Sequence, residues 1–184
     1  MEWENRSSCI FIRCYPGKAE STYNVIKEWD NTIGVFLATG TYDIIAWIDT
    51  KDVKDTYSWV SKIRTWPEVE WTSTQQTLTG YRNETGYWEK PACGWFKVRT
   101  SNSYTTCEEL NNCEHVAYYT STTGDYDWVG FFYGENYNEI FNFMYELKSK
   151  GYEIEYYPTP KYYWNTNYQN KWESITAENY QTQT

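Results

Sequence analysis

A five-residue pattern recurs along this chain at a fixed distance. Thr39-Gly40-Thr41-Tyr42-Asp43 returns as Thr123-Gly124-Asp125-Tyr126-Asp127, an offset of 84 residues. At the same offset Cys9 becomes Cys93, Phe11 becomes Trp95 and Arg13 becomes Lys97. The stretch 52–66 matches 136–150 in pattern, and one inserted residue then aligns Val69-Glu70-Trp71 with Ile154-Glu155-Tyr156. Self-similarity at a fixed period means that one structural unit is built twice. The predicted units are residues 8–80 and 92–157, joined by a linker over 81–91 and followed by an aromatic extension over 158–184.

Within the first unit, Ile10–Tyr15 is predicted as a strand ended by the turn Pro16-Gly17. Residues 18–30 are predicted helical, with Tyr23, Ile26 and Trp29 at helical spacing. Two strands, 34–39 and 42–48, flank Gly40-Thr41, where glycine supplies a turn. Asp52 is placed to cap a second helix, whose predicted apolar stripe is Val53, Tyr57, Val60 and Ile63. Pro67 ends it, and Val69–Leu78 is the last strand. The second unit repeats this order. It has a strand over 94–100, a short helix over 105–113, a hairpin over 116–133, a helix over 136–150 with Ile140, Phe143, Met144 and Leu147 inward, and a strand over 153–157. The fold class is therefore α+β, as two tandem βαββαβ units.

Three segments of the first unit carry a resemblance: Pro16-Gly17-Lys18, the run from Ala38 through Thr39-Gly40-Thr41-Tyr42-Asp43 to Ile45, and Ile63-Arg64-Thr65-Trp66-Pro67-Glu68-Val69. Together with the βαββαβ order they resemble the effector-binding domain of Lrp/AsnC transcription regulators. The second unit keeps Thr123-Gly124-Asp125-Tyr126-Asp127 and little else of the match. The resemblance implies ferredoxin-like units that pair sheet to sheet as a dimeric α/β barrel. Two fused copies would form a pseudo-dimeric barrel within one chain. It also implies a small-ligand pocket near the hairpin loops, of the kind that takes amino acids. Eight residues precede Cys9, where the strand-like sequence begins, so no helix-turn-helix is expected.

Charge points the same way. The net charge is −9 and no basic run occurs, so direct nucleic-acid binding through phosphates is not expected. Apolar volume comes mainly from 20 Tyr, 11 Trp and 7 Phe, rings whose polar tips want partners. The five cysteines (Cys9, Cys14, Cys93, Cys107 and Cys113) form no CxxC pair. No apolar leader follows Met1, and no run approaches a membrane span. A cytoplasmic protein with reduced thiols and no membrane association is expected.

Alternation along the strands divides their side chains between two faces. Ile44, Ala46, Ile48 and Gly130 are predicted beneath helices. The opposite face then carries Phe11, Arg13, Asp43, Ile45, Trp47 and Asp49 from the first unit. From the second it carries Trp95, Lys97, Asp127, Val129, Phe131 and Tyr133. The predicted ligand site uses Arg13 and Lys97 for a carboxylate and Asp43 and Asp127 for an amine. Thr39, Gly40, Tyr42, Thr123, Gly124 and Tyr126 stand beside them. The alternative is that Arg13 pairs with Asp43 and Lys97 with Asp127, neutralising a buried interface.

No catalytic residue, metal site or cofactor is expected. His115 stands alone, Cys107 and Cys113 lack zinc-like spacing, and Cys9 and Cys93 open strands. The expected function is a non-catalytic small-ligand-binding or regulatory module for an amino-acid-like molecule. One alternative is a protein-interaction or assembly component, with a homo-oligomer or protein partner held through the aromatic C-terminal extension. Another is a small enzyme of the dimeric α/β-barrel class. Within that extension Tyr162–Trp164 is predicted as a strap on the protein's own surface, and 172–184 as a partner-bound or exposed segment.

Overall fold

The computed structural model describes residues 7–82 and 90–168. The chain runs β1 (Ser7–Cys14), α1 (Ala19–Lys27), β2 (Thr32–Leu37), β3 (Ile44–Asp49), α2 (Val53–Arg64) and β4 (Val69–Arg82). It continues as β5 (Ala92–Arg99), α3 (Ser103–Asn111), β6 (Val116–Thr123), β7 (Trp128–Gly134), α4 (Tyr137–Ser149), β8 (Glu153–Pro158) and β9 (Lys161–Trp164). The order βαββαβ thus occurs twice in an α+β fold. Residues 83–89 of the expected linker, and 172–184 of the extension, lie outside the described residues.

The nine strands of the described residues belong to one antiparallel sheet in the order β8-β5-β7-β6-β4-β1-β3-β2-β9. The runs β4-β1-β3-β2 and β8-β5-β7-β6 have the same internal order. They are joined where β4 outgrows its own half. Its first part pairs with β1, and Gln76–Arg82 then pair with Thr123–Tyr118 of β6. The strand therefore extends past the predicted end at Leu78. The tail does the corresponding thing from the other side. β8 pairs with β5, the chain passes Thr159-Pro160, and β9 pairs with β2 from Gly34↔Trp164 to Leu37↔Lys161. The two outer strands of the sheet order are thus neighbours in sequence. The Thr39 amide, just past β2, also donates to the Pro158 carbonyl.

The helices start and stop where local chemistry dictates. Asp52, Asn102 and Asn136 accept amide hydrogens in the first turns of α2, α3 and α4, satisfying donors that have no partner within the helix. Gly151 follows α4 with φ +92°, a conformation that favours glycine. The predicted stripe of α2 needs correction. Val53 and Tyr57 are 71% exposed, and the buried face is Thr56, Val60 and Ile63. The helix is turned because the Thr56 hydroxyl joins a buried polar knot with Ser8, Thr50 and Gln76. A stripe chosen from apolar residues alone misses a threonine that is buried for its hydrogen bonds.

Alternation sorts the strands as expected. Ile10, Ile12, Ile44, Ala46 and Ile48 pack with Tyr23, Ile26, Val60 and Ile63 of the first two helices. Phe96, Val98 and Phe132 pack with Leu110, Ile140, Met144 and Leu147 of the other two. The remaining faces of both halves share one cluster, which includes Phe11, Phe36, Trp47, Trp95, Tyr118, Phe131 and Tyr157. No helix among the described residues is long and apolar enough to cross a membrane.

Gly130 shows how tight the second helix-side layer is. A Cβ there would lie 2.2 Å from Phe96 Cζ and 2.5 Å from the Tyr118 carbonyl oxygen. Gly130→Ala should destabilise the fold by roughly 3 kcal/mol in chemical denaturation. In a Phe96→Leu background the added penalty should shrink. An unchanged penalty would contradict this assignment of the glycine.

Candidate functional site

Both hairpin loops come to one end of the shared interior. Gly40 and Gly124 have φ of +124° and +139°, so each loop turns on a glycine. Each leans on the last long strand of the other half. Gly40 packs against the Tyr157 ring of β8, and a Cβ on Gly124 would meet Gln75 of β4 at 2.6 Å. Thr39 and Thr123 are exposed beside them, whereas Tyr42 and Tyr126 point into the core.

The centre of this end is Lys97. Its side chain is only 2% exposed, although it carries an ammonium group. Four rings surround the amine: Phe11 and Tyr126 at 4.5 Å, Tyr42 at 4.8 Å and Tyr157 at 5.5 Å to the ring centroids. A cation over ring faces is favourable, and more so when water is excluded. Its one ionic contact among the described residues is Glu155, at 3.3 Å and 39% exposed. The Tyr157 hydroxyl donates to that carboxylate, and Tyr126 hydrogen-bonds to it as well. Burial pulls the Lys97 ammonium below the usual lysine range, only partly offset by Glu155. Burial also works to raise the Glu155 carboxyl, but the two tyrosines and Lys97 together hold it below the usual range. Tyr126 and Tyr157 are raised, first by burial and then by the Glu155 acceptor.

Neither expected ion pair forms. Asp43 Oδ2 accepts the Cys14 amide at 2.8 Å, and Asp127 Oδ2 accepts the Thr100 amide at the same distance. The two aspartates tie each hairpin to the end of its half's first strand. Arg13 is 48% exposed and pairs with Glu70 at 2.8 Å. The strand register gives the reason. Arg13 stands opposite Trp71 and Cys14 opposite Val69, so Glu70 bulges out of β4 beneath Arg13. β8 has no such bulge, and Lys97 stands directly opposite Glu155. The expected alignment of Trp71 with Tyr156 is corrected by the same register, because Trp71 and Glu155 face equivalent residues. Of the predicted residues, Lys97, Tyr42 and Tyr126 are brought together. Arg13, Asp43 and Asp127 are engaged elsewhere. Glu155 and Tyr157 were missed, although their alternation with Ile154 and Tyr156 could have shown them on the inner face.

A cleft of about 480 Å³ opens beside this cluster. Thr39, Gly40 and Thr41 form one wall, Phe141 and Lys148 of α4 another, and Glu155 and Tyr157 belong to its lining. The thiols offer no comparable chemistry. Burial pushes Cys93 and Cys113 up to about 11 and Cys14 equally far, so they are protonated at neutral pH. His115 lies near Glu114 at the start of β6, away from the hairpins.

No protein-family model matches the chain, and no curated protein matches it. Among solved structures, the siroheme decarboxylase NirDL in complex with an iron-uroporphyrin III analogue is similar with a TM-score of 0.64 at 9% identity, over 94% of this chain and 79% of that one. A mutant chlorite dismutase from Candidatus Nitrospira defluvii has a TM-score of 0.53 at 10% identity, over 84% of this chain and 91% of that one. TTHA0845 from Thermus thermophilus is 26% identical over 42% of this chain and 98% of its own, with a TM-score of 0.39. At 9% and 10% identity, the likeness to NirDL and to the chlorite dismutase is one of fold.

The Lys97–Glu155 pair should respond unequally to loss of either member. Glu155→Gln strands a buried ammonium and should destabilise the fold by about 3 kcal/mol. Lys97→Met keeps the ring contacts and leaves Glu155 its tyrosine donors, so its cost should stay within about 1 kcal/mol. Because the folded-state Glu155 value lies below the ordinary 4.5, its contribution is present above that pH and lost as pH falls through the depressed value. Acid denaturation of Glu155→Gln should therefore lack that part of the pH dependence. Equal costs for the two variants would contradict the pairing.

Proposed function

We propose that the chain is a non-catalytic small-ligand-binding module built as a pseudo-dimeric α/β barrel. We further propose that its ligand is an amino-acid-like zwitterion held in the cleft beside Thr39-Gly40-Thr41. The barrel reading is supported by the reciprocal strand ends. β4 crosses from β1 to β6, and β8 with β9 crosses from β5 to β2. A sheet whose outer strands are joined by Thr159-Pro160 has its edges drawn toward one another.

The observation that carries the ligand reading is the pair of opposite charges on one cleft. Glu155 offers a partly exposed carboxylate, already anchored on its buried side, and Lys148 offers an ammonium from α4. The ligand's amine would meet Glu155 and its carboxylate Lys148, with Phe141 and Tyr156 bounding an apolar side chain. Specific polar groups set in a partly apolar cleft of this size are the usual make-up of a small-molecule site. A tetrapyrrole of the kind in the NirDL complex does not fit the shared interior. Trp47, Trp95, Phe36 and Phe131 fill that space, and the chain's one histidine lies outside it.

A second reading has its own observation. Val53 and Tyr57 on α2, and Phe141 and Tyr145 on α4, expose apolar surface, with Tyr57 and Phe141 at equivalent positions of the two halves. Exposed apolar patches mark interfaces, so an assembly role through these helices is the alternative.

Thermal shift with the twenty amino acids tests the first reading. A ligand at about 100 Kd should stabilise by about 2.7 kcal/mol. Lys148→Ala should leave the free protein within about 0.5 kcal/mol of the parent and abolish that stabilisation. No shift with any amino acid would remove the ligand reading. A concentration-dependent rise in mass by light scattering, lost in Tyr145→Ser, would favour assembly.

A further inference from the structure

A second cleft lies far from the hairpin cluster in chemistry and in lining. Between α1 and α2, about 410 Å³ is bounded by Trp29, Trp66, Val25, Lys62, Glu68 and the Ser21-Thr22 turn of helix. Trp29 packs on Trp59 at 4.6 Å and on Trp66 at 5.3 Å between ring centroids. All three indoles are only partly buried.

The second half of the chain supplies an internal control. The cleft between α3 and α4 is its counterpart, with Glu109, Cys113, Glu146 and Lys150 standing 84 residues beyond Val25, Trp29, Lys62 and Trp66. There Lys150 bridges Glu109 at 3.2 Å and Glu146 at 2.9 Å. Phe143 stands where Trp59 stands in the first half. The same helix pair is therefore held by ion pairs in one half and by indoles in the other. The fold does not require tryptophan at these positions.

The polar groups around the indoles define what fits. The Lys62 ammonium lies 4.8 Å from the Trp29 ring and 4.7 Å from the Trp59 ring. The cation site of those faces is thus taken, and an organic cation would meet a like charge. Ser21 is exposed, donates to the Lys18 carbonyl and keeps lone pairs to accept with, while Thr22 is buried beneath it. Lys62 donates and Glu68 accepts. An apolar peptide would leave these groups without partners as it displaced their water. A ligand with one C–H-rich face and a rim of hydroxyls satisfies both the indoles and the rim.

We propose that the α1/α2 cleft is a carbohydrate-binding site. A pyranose ring lies with its C–H face on Trp66, beside the Trp29–Trp59 pair that Lys62 already covers, and its hydroxyls hydrogen-bond to Glu68 and Lys62. The negative ring faces attract the polarised C–H bonds, and the flanking charges select the hydroxyl pattern. This site is independent of the amino-acid cleft, and either can fail without the other.

The test is titration of the full chain with glucose, galactose, mannose, N-acetylglucosamine and glucuronate, and with disaccharides of each. The readouts are tryptophan fluorescence and the indole N–H resonances of a 15N-labelled sample. At least one sugar should give saturable shifts confined to the indoles of Trp29, Trp59 and Trp66. Trp66→Ala should weaken that binding at least tenfold. Glu68→Gln, a milder change at the rim, should weaken it severalfold with an unchanged melting temperature. Glu146→Gln in the acidic counterpart cleft should leave it unaltered. Absence of saturable shifts with every sugar overturns the proposal. So does saturable binding whose shifts fall on other resonances, or that survives both Trp66→Ala and Glu68→Gln.

Discussion

The fold depends on the packing of one aromatic layer shared by both halves. Trp47 of β3 meets Trp95 of β5 at 5.9 Å, Phe36 of β2 meets Trp95 at 5.1 Å and Phe131 at 5.6 Å, and Trp47 meets Tyr118 of β6 at 4.8 Å. Each such ring removes roughly 150–250 Å² from water, and neither half can bury its own set alone. A sheet with helices on one face leaves the other face apolar, and the cover at hand for each half is the other. The strand exchanges of β4 with β6 and β9 with β2 follow from that packing, because they draw the two faces together along their margins. Trp164 of β9 enters the same layer, 4.9 Å from Phe36 and 5.7 Å from Trp47.

Against this common frame, the copies differ where chemistry is concentrated. One bulged residue separates them at the hairpin end. With Glu70 turned out, Arg13 finds its partner at the surface. Without a bulge, Glu155 stays in register and Lys97 is drawn inside among four rings. The helix clefts differ in the same manner, with indoles in the first half and a lysine between two glutamates in the second. Backbone architecture is nearly constant between the halves, and side-chain chemistry is not. That is the behaviour of a scaffold whose sites vary while its fold persists.

Much of the architecture was legible because it is periodic. The repeat gave the element order twice, and alternation placed Ile44, Ala46 and Ile48 against helices and Trp47 and Phe131 in the shared layer. The boundary of β4 was missed because the strand is prolonged by pairing with β6, a contact 47 residues away at Gln76↔Thr123 that no local pattern encodes. The α2 face was misjudged because Thr56 is buried for hydrogen bonds rather than for apolar area. In the candidate site, the residue types were visible and their partners were not. Asp43 and Asp127 satisfy backbone amides, and a single-residue bulge decides which acid faces which base. Such details depend on register, which composition and spacing leave open.

The central claim is that the two halves form one cooperative unit through their shared aromatic layer. Native-state hydrogen exchange at low denaturant tests it most directly, since it measures the opening free energy of each amide. The slowest amides of β1 and β3 and those of β5 and β7 should open with the same free energy and the same dependence on denaturant, as one global unfolding. If the strands of one half open at a distinctly lower free energy while the other half stays protected, the halves are separate units and the account fails.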